Sequence, residues 1–285
     1  MMLHMVRIDD ASYTAAVPRP AVPQAGLWSR SRVVRRTALL LFAVAAWEIG
    51  ALLVDNSVFP TVPAFLDAAR VDLLTPEFWS AISSTLAGWG LGLAAAVVVA
   101  IPAGLLIGLS TTLDVATRIS ISFLQAIPSI VLLPLVVLVL GTTLEMKVVL
   151  VGIAALWPLL IHSIYGVREV DHVAKETAYS YHMSRGTRTL FLYLPSAGAF
   201  VATGLRISAT IGLMVCLGAE VLSSAPGIGQ QILLRGSNGA DPASAFVFFI
   251  AAAILGMVIS MVFRRIERAA LFWHPSQRRR SRADG

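Results

Sequence analysis

Charge is the scarcest property of this 285-residue sequence: Asp, Glu, Lys and Arg together make up 13% of it, where a soluble domain carries about 25%. A chain so poor in charge, and 57% hydrophobic, is neither disordered nor an ordinary nucleic-acid-binding domain, and it is unlike most soluble enzymes. Cysteine is nearly missing too. The single Cys216 excludes a disulfide framework and every multi-cysteine metal site, and its apolar flanks mark it as a small packing residue. His162, His172 and His182 have no metal-ligand spacing with a cysteine or an acidic cluster, so no metal site is expected. The sequence has no G-x-x-x-x-G-K-[ST] phosphate loop, and so lacks the usual means of holding ATP for hydrolysis.

What the sequence has in abundance is long apolar runs, with a mean hydropathy of +0.78. A bilayer core takes about 20 apolar residues per spanning helix. Six stretches qualify: Thr37–Val54, Ser84–Leu109, Ile119–Gly141, Met146–Tyr165, Ala197–Val221 and Ser244–Phe263. The fold class expected is an all-α polytopic membrane protein with six spans, organised as a polar N-terminal tail (1–36), a membrane domain (37–265) and a basic C-terminal tail (266–285). Pro18, Pro20 and Pro23 argue against helix in the first tail, which lacks the apolar core of a signal peptide. Pro63–Leu74 reads as a short amphipathic helix at the interface.

The basic residues give an orientation. Of 22 Lys and Arg, 18 fall at the two ends (1–36 and 264–285) and in the 110–118 and 166–196 loops. Only Arg70, Lys147 and Arg235 fall on the other side, with Arg206 inside the fifth span. The positive-inside rule then places both termini and the 166–196 loop in the cytoplasm. The formal charge of +6 is thereby explained as an orientation signal and contact with anionic lipid, not as a nucleic-acid surface.

Within the spans, Pro102, Pro128, Pro134 and Pro158 each free a carbonyl and are expected to bend a helix. Gly88-xxx-Gly92, Gly104-xxx-Gly108 and the row Gly204, Ser208, Gly212, Cys216 allow helices to approach closely. They read either as plain packing or as a seam that shears in a transport cycle, which makes Ser208 and Gly212 candidate pathway or gating positions. Charges inside spans mark a pathway or a pair. Glu48, Arg206 and Glu220 are the candidates. Arg206 is either a buried packing cation paired with a carbonyl or Glu48, or an anion-facing group. Glu220 and the Ser223–Gln231 turn read as gating or partner-contact residues at the outer mouth.

The 166–196 loop is too polar to insert and too patterned for a linker. Val170, Val173, Ala178 and Tyr181 can share one face of a short helix whose other residues favour water. Such a helix either docks a soluble partner or lies on the bilayer. Glu176-Thr177-Ala178, then His182, then Leu192-Tyr193-Leu194-Pro195 match the spacing of the E-A-A, three residues, G, nine residues, I-x-L-P signature. In this the chain resembles the inner-membrane permeases of binding-protein-dependent ABC importers, with a fold like that of the methionine importer. PSIVLLPLVVLVLG (128–141), TGLRIS (203–208) and GAEVLSSAPGIGQQI (218–232) are similar to the nitrate, sulfonate and taurine branch.

The resemblance implies a permease that binds no cofactor itself. Its partners would be a second permease copy, an extracytoplasmic binding protein and a cytoplasmic ATPase dimer that holds ATP and Mg, all at the bacterial inner membrane. The solute implied is a small anion such as a sulfonate, taurine or nitrate. It also implies ATPase coupling through Glu176, Thr177, Ala178, Tyr181, His182, Met183, Gly186 and Pro195, with Leu190 adding packing. His182 stands where the family has the glycine of a bend, and Gly186 is a candidate to take that bend over. A stand-alone transporter or channel leaves the loop signature unexplained. An intramembrane enzyme lacks a nucleophile motif, since His162 and Ser163 are adjacent and diverge on a helix.

Overall fold

A run of twenty apolar residues in lipid has no water to bond its backbone, so it must become helix. The computed structural model describes residues 25–53, 59–237 and 241–270, and among these there is helix and turn but no strand. The helices are α1 (Ala25–Leu53), α2 (Val62–Asp72), α3 (Pro76–Leu109), α4 (Thr111–Gln125), α5 (Leu133–Leu140) and α6 (Leu144–Arg168), succeeded by α7 (His172–Ser180), α8 (Arg185–Arg188), α9 (Leu194–Ser223), α10 (Ile228–Gly236) and α11 (Pro242–Ala270). Five of the helices are long and apolar enough to cross a membrane, or six spans if α4 and α5 count as one bent span. The chain divides into two units at Ile49/Gly50. The first is α1 up to Ile49, whose residues from Val34 to Phe42 are exposed. Helix begins at Ala25, so the arginines of the 30–36 cluster lie on α1 and not in a helix-free tail. The remainder of that tail and the Arg278–Arg282 stretch lie outside the described residues.

The second unit is built on α3, α6, α9 and α11. Side-chain caps start several of its helices: Thr75 Oγ1 accepts from the Phe78 amide at 3.4 Å, with Pro76 in the first turn where its missing N–H costs nothing. Thr143 does the same for α6 through the Met146 amide. Pro102 and Pro158 lie inside α3 and α6, which continue through them. The third span does break, by 71° between α4 and α5. Pro128 accounts for this, because the residue before a proline is driven out of helical conformation. Pro134 makes no bend of its own, since it sits in the first turn of α5.

The small residues are packing surfaces. A Cβ on Gly92 would lie 2.6 Å from that of Val151 on α6, and one on Gly204 would lie 2.6 Å from that of His162. α3 and α9 therefore both press against α6, and they also touch each other, with Trp89 Nε1 donating to the Ala209 carbonyl at 2.8 Å. Ser208 is fully buried and donates to the Ala155 carbonyl at 2.7 Å, and Gly212 abuts Val151. Both positions are filled by close packing in this structure. Leu93, Ala96, Ala155, Ala209, Leu213 and Ile259 form the apolar centre of this bundle.

At the end of the bundle away from α7, an ion pair closes the structure. Lys147 is 1% exposed and Glu220 0%, with Nζ 3.1 Å from Oε1. The ammonium also donates to the Ser84 carbonyl at 2.9 Å, Ser84 Oγ at 3.0 Å and the Pro226 carbonyl at 2.8 Å. The carboxylate accepts from Thr85 Oγ1 at 2.9 Å and from the Gly229 amide at 3.0 Å. Thr85 Oγ1 in turn accepts from the Ile228 amide at 2.9 Å. Gly227, with φ +154°, lies so close that a Cβ there would be 2.1 Å from the carboxyl carbon.

Glu220, expected at an open mouth, is sealed inside this cluster, and the expected turn after it runs into helix α10. A second cluster binds α2 to α10 and α11: buried Asp72 pairs with Arg235 at 2.8 Å and accepts from Ser244 Oγ. Two of the three cations on this side thus serve buried pairs. The third, Arg70, makes an exposed pair with Asp67.

Removing one member of a buried pair leaves an uncompensated charge, at a cost of about 3–5 kcal/mol. Lys147→Met is therefore expected to destabilise the chain by about that much, and Lys147→Met with Glu220→Gln to recover most of the loss. Thermal unfolding of the four proteins in detergent gives the coupling directly; additive effects would show that the pair does not act as a unit.

Candidate functional site

α6 ends at Arg168, and the loop beyond it is held by local bonds rather than by an apolar core. Lys175 on α7 donates to the Arg168 carbonyl at 3.0 Å, placing a cation on the C-terminal end of α6 where the helix dipole favours it. Asp114 in the first turn of α4 binds both Arg118 at 2.6 Å and Arg168 at 2.7 Å. The Asp171 side chain accepts from the Val173 amide at 2.9 Å and starts α7. These bonds fix the base of the loop while leaving its crest in solvent.

α7 closes in a Schellman motif. The Met183 amide donates to the Ala178 carbonyl at 3.1 Å and the His182 amide to the Tyr179 carbonyl at 2.9 Å, which puts His182 at the position that needs left-handed backbone. Its φ is +53°, a conformation glycine takes freely and histidine better than most residues. The His182 ring adds a bond from Nδ1 to the Ser180 carbonyl at 3.0 Å. Gly186 takes no part in the bend. It is exposed within α8, and no positive φ occurs there.

Beside α7 lies a groove of about 400 Å³ lined by Val173, Ala174, Thr177, Ala178, Tyr181, Met183, Phe191 and Leu192, with Asp171 at its edge. Val173 is 67% exposed and Tyr181 79%. Of the four apolar residues expected on one face, Val173, Ala178 and Tyr181 line this groove together, Ala178 at its buried floor, and Val170, which precedes α7, is buried apart from it. Tyr181 caps the helix and keeps its period, its amide still donating to the Thr177 carbonyl at 3.0 Å. Glu176 is exposed and touches His172 at 3.4 Å. Thr177 Oγ1 donates back to the Val173 carbonyl at 2.8 Å. Leu190 and Phe191 are exposed, and Pro195 sits in the first turn of α9. Six of the coupling candidates (Glu176, Thr177, Ala178, Tyr181, His182 and Met183) thus converge on one helix and its cap, with Gly186 and Pro195 further along the loop.

The span charges fall elsewhere. Arg206, with its side chain 38% exposed, pairs with Glu267 on α11 at 3.6 Å, so its partner is neither Glu48 nor a carbonyl. Glu48 lies on α1, in the first unit. The Lys147–Glu220 cluster is not foreseeable as a unit, because its members are 73 residues apart. The only sequence signal is a lysine just inside a span with no acidic residue at helical spacing to match it across the membrane.

Comparison with known proteins places this architecture. The family described as binding-protein-dependent transport system inner membrane component matches residues 97–270. The taurine transport system permease protein TauC of Escherichia coli is 27% identical over 256 residues, covering 87% of this chain and 92% of the relative. The nitrate import permease protein NrtB of Synechocystis is 25% identical over 207 residues, covering 70% of this chain and 75% of the relative. Among solved structures, a chain of the MetNI methionine ABC transporter in an inward facing conformation superposes with a TM-score of 0.61 at 18% identity, covering 69% of this chain and 98% of that one. That likeness is one of fold. The matched stretch runs from within α3 to the end of α11 and includes the loop helix, the groove and the buried ion pair. The chain belongs to the binding-protein-dependent transport system inner membrane components: it is a multi-pass permease subunit of an ABC importer, not itself an enzyme, working with an ATPase and a substrate-binding protein.

Proposed function

We propose that α7 and the groove beside it are the surface on which the cytoplasmic ATPase docks, and that two copies of this chain form the pathway for a small anion. The observation that carries the docking reading is an apolar groove on a polar loop: Val173, Tyr181 and Phe191 stand exposed around it, the first two on and beside the short helix α7. Such a surface suits a soluble partner with a complementary ridge. Glu176 is bound only to exposed His172, a contact worth little in water, and exchanges it for a basic side chain of the ATPase. Thr177, Tyr181 and Met183 supply packing, with Leu190 at the rim. Ala178 and His182 hold the helix end in shape, while Gly186 and Pro195 set the path from α8 into α9.

ATP and its Mg are held by the ATPase, and this chain contributes no cofactor. ATP binding draws the two docked loops together, and the difference in binding energy between the two states shifts the bundle between inward- and outward-open forms. The loop and both termini face the cytoplasm in this reading, supported by the 18 of 22 basic residues on that side. The anion is supported by relatives named for taurine, aliphatic sulfonates, bicarbonate and nitrate.

Glu176→Arg sets like charges against each other at the interface, a cost of several kcal/mol. ATPase retention on co-purification is then expected to weaken at least about tenfold, with membrane insertion intact and uptake lost. Undiminished uptake would remove Glu176 from the coupling surface.

His182→Gly is expected to leave or raise stability, whereas His182→Val forces a branched residue into left-handed backbone at about 1–2 kcal/mol and weakens ATPase retention. Equal behaviour of the two variants in thermal unfolding and co-purification would show that the bend is not what the docking surface depends on.

A further inference from the structure

We propose that the pocket between the end of α3 and the stretch from α7 to the start of α9 binds the phosphate of an anionic lipid headgroup. The pocket, of about 400 Å³, is lined by Leu109, Tyr179, Arg185, Arg188, Thr189 and Tyr193. It is separate from the groove on the other side of α7, and the inference does not rest on what docks there.

Depth comes first. Leu109 is the last residue of α3, and Tyr193 immediately precedes α9. The pocket therefore sits at the end of α3 and at the start of the apolar helical stretch Arg185–Ser223, and span ends are where interfacial tyrosines and snorkelling arginines meet lipid headgroups. Charge comes second. The lining holds two guanidiniums and no carboxylate. Arg118 and Arg168 nearby share Asp114, but among the described residues neither Arg185 nor Arg188 has an ion-pair partner.

Orientation completes the case. The Arg188 guanidinium lies over the Tyr179 ring, its Cζ 4.1 Å from the centroid, which holds it at the pocket. Its Nε and Nη1 are buried and have no hydrogen-bond acceptor. Buried donors of a cation left without an acceptor are costly, and an anion in the pocket offsets part of that cost by neutralising the charge and bonding Nη2, the guanidinium nitrogen not enclosed with them. The exposed Arg185 adds a second positive charge at the rim, and Leu109 offers an apolar wall for the glycerol and acyl ends. A lipid supplies an oxyanion and an apolar stem together at this depth; a free anion supplies only the first.

Native mass spectrometry of the full chain in mild detergent, titrated with phosphatidylglycerol or phosphatidylcholine of equal acyl length, tests this. The expected result is preferential retention of phosphatidylglycerol, reduced about tenfold in Arg188→Gln, reduced less in Arg185→Gln and unchanged in Arg70→Gln at the far end. Arg188→Lys, which keeps the charge but loses the guanidinium stacked on Tyr179, should fall between wild type and Arg188→Gln. If Arg188→Gln fails to fold, Arg185→Gln and Arg188→Lys carry the test. Three results would overturn the proposal: equal retention of both lipids by the wild type; displacement of the lipid by millimolar inorganic phosphate, which would assign the pocket to a soluble anion; or loss of ATPase retention in Arg188→Gln with lipid preference unchanged, which would assign it to the ATPase.

Discussion

The architecture depends on one ammonium and one carboxylate kept out of water. Lys147 and Glu220 join α6 to α9, and through Ser84, Thr85 and Pro226 they also hold α3 and the turn into α10. Burying two charges costs several kcal/mol for each ion, and their attraction offsets this only where every remaining donor and acceptor is satisfied. Here the acceptors around Nζ and the donors around the carboxylate are supplied by backbone as much as by side chains. That is why the local backbone is so constrained: Gly227 and Gly229 both abut Glu220, and neither has room for a side chain. The pair gives this end of the bundle a single arrangement rather than a general stickiness.

The opposite end is built on a different principle. Its anchors, Asp114 with two arginines and Lys175 on the end of α6, lie at the base of the loop, and its crest is held by helix caps, the exposed His172–Glu176 contact and the Arg188–Tyr179 stack. Caps and exposed ion pairs are each worth about 1 kcal/mol, so this end is firm enough to present a shape and loose enough to adapt to a partner. One helix, α6, connects the two regimes. Glycines on α3 and α9 let both neighbours press against it along its length, and in a close-packed bundle displacement passes between ends by movement of whole helices.

The features most legible in the sequence are those that composition alone decides. The spans can be read because a lipid-exposed backbone has no alternative to helix, and the break at Pro128 because proline forbids the local geometry. The left-handed bend at His182 is visible from its place at a family glycine. Features that depend on tertiary partners stay hidden. Lys147 counts as one of three stray cations, because nothing local reveals a carboxylate 73 residues away. Ser208 and Gly212 suggest a moving seam, and only the neighbours that fill them show that they are packed. Val170 falls outside the face its spacing suggests because α7 begins only at His172, and helix ends are set by caps rather than by period. Arg206 finds Glu267, which lies beyond the apolar part of the last span.

The ion pair also bears on how the chain is made. Synthesis runs from the N-terminus, so α3 and its Ser84 exist before Lys147 appears, and Lys147 exists before Glu220. An α3–α6 hairpin already offers the ammonium the Ser84 carbonyl and hydroxyl, so the lysine can enter the membrane with company. When α9 arrives, its carboxylate meets a counter-charge and the Thr85 hydroxyl in position. The residues that complete the carboxylate's shell, Gly227 to Gly229, leave the ribosome directly after it. The order of the chain thus lets each costly group arrive where its partner is already waiting, a biogenesis constraint written into which helix carries the cation and which the anion.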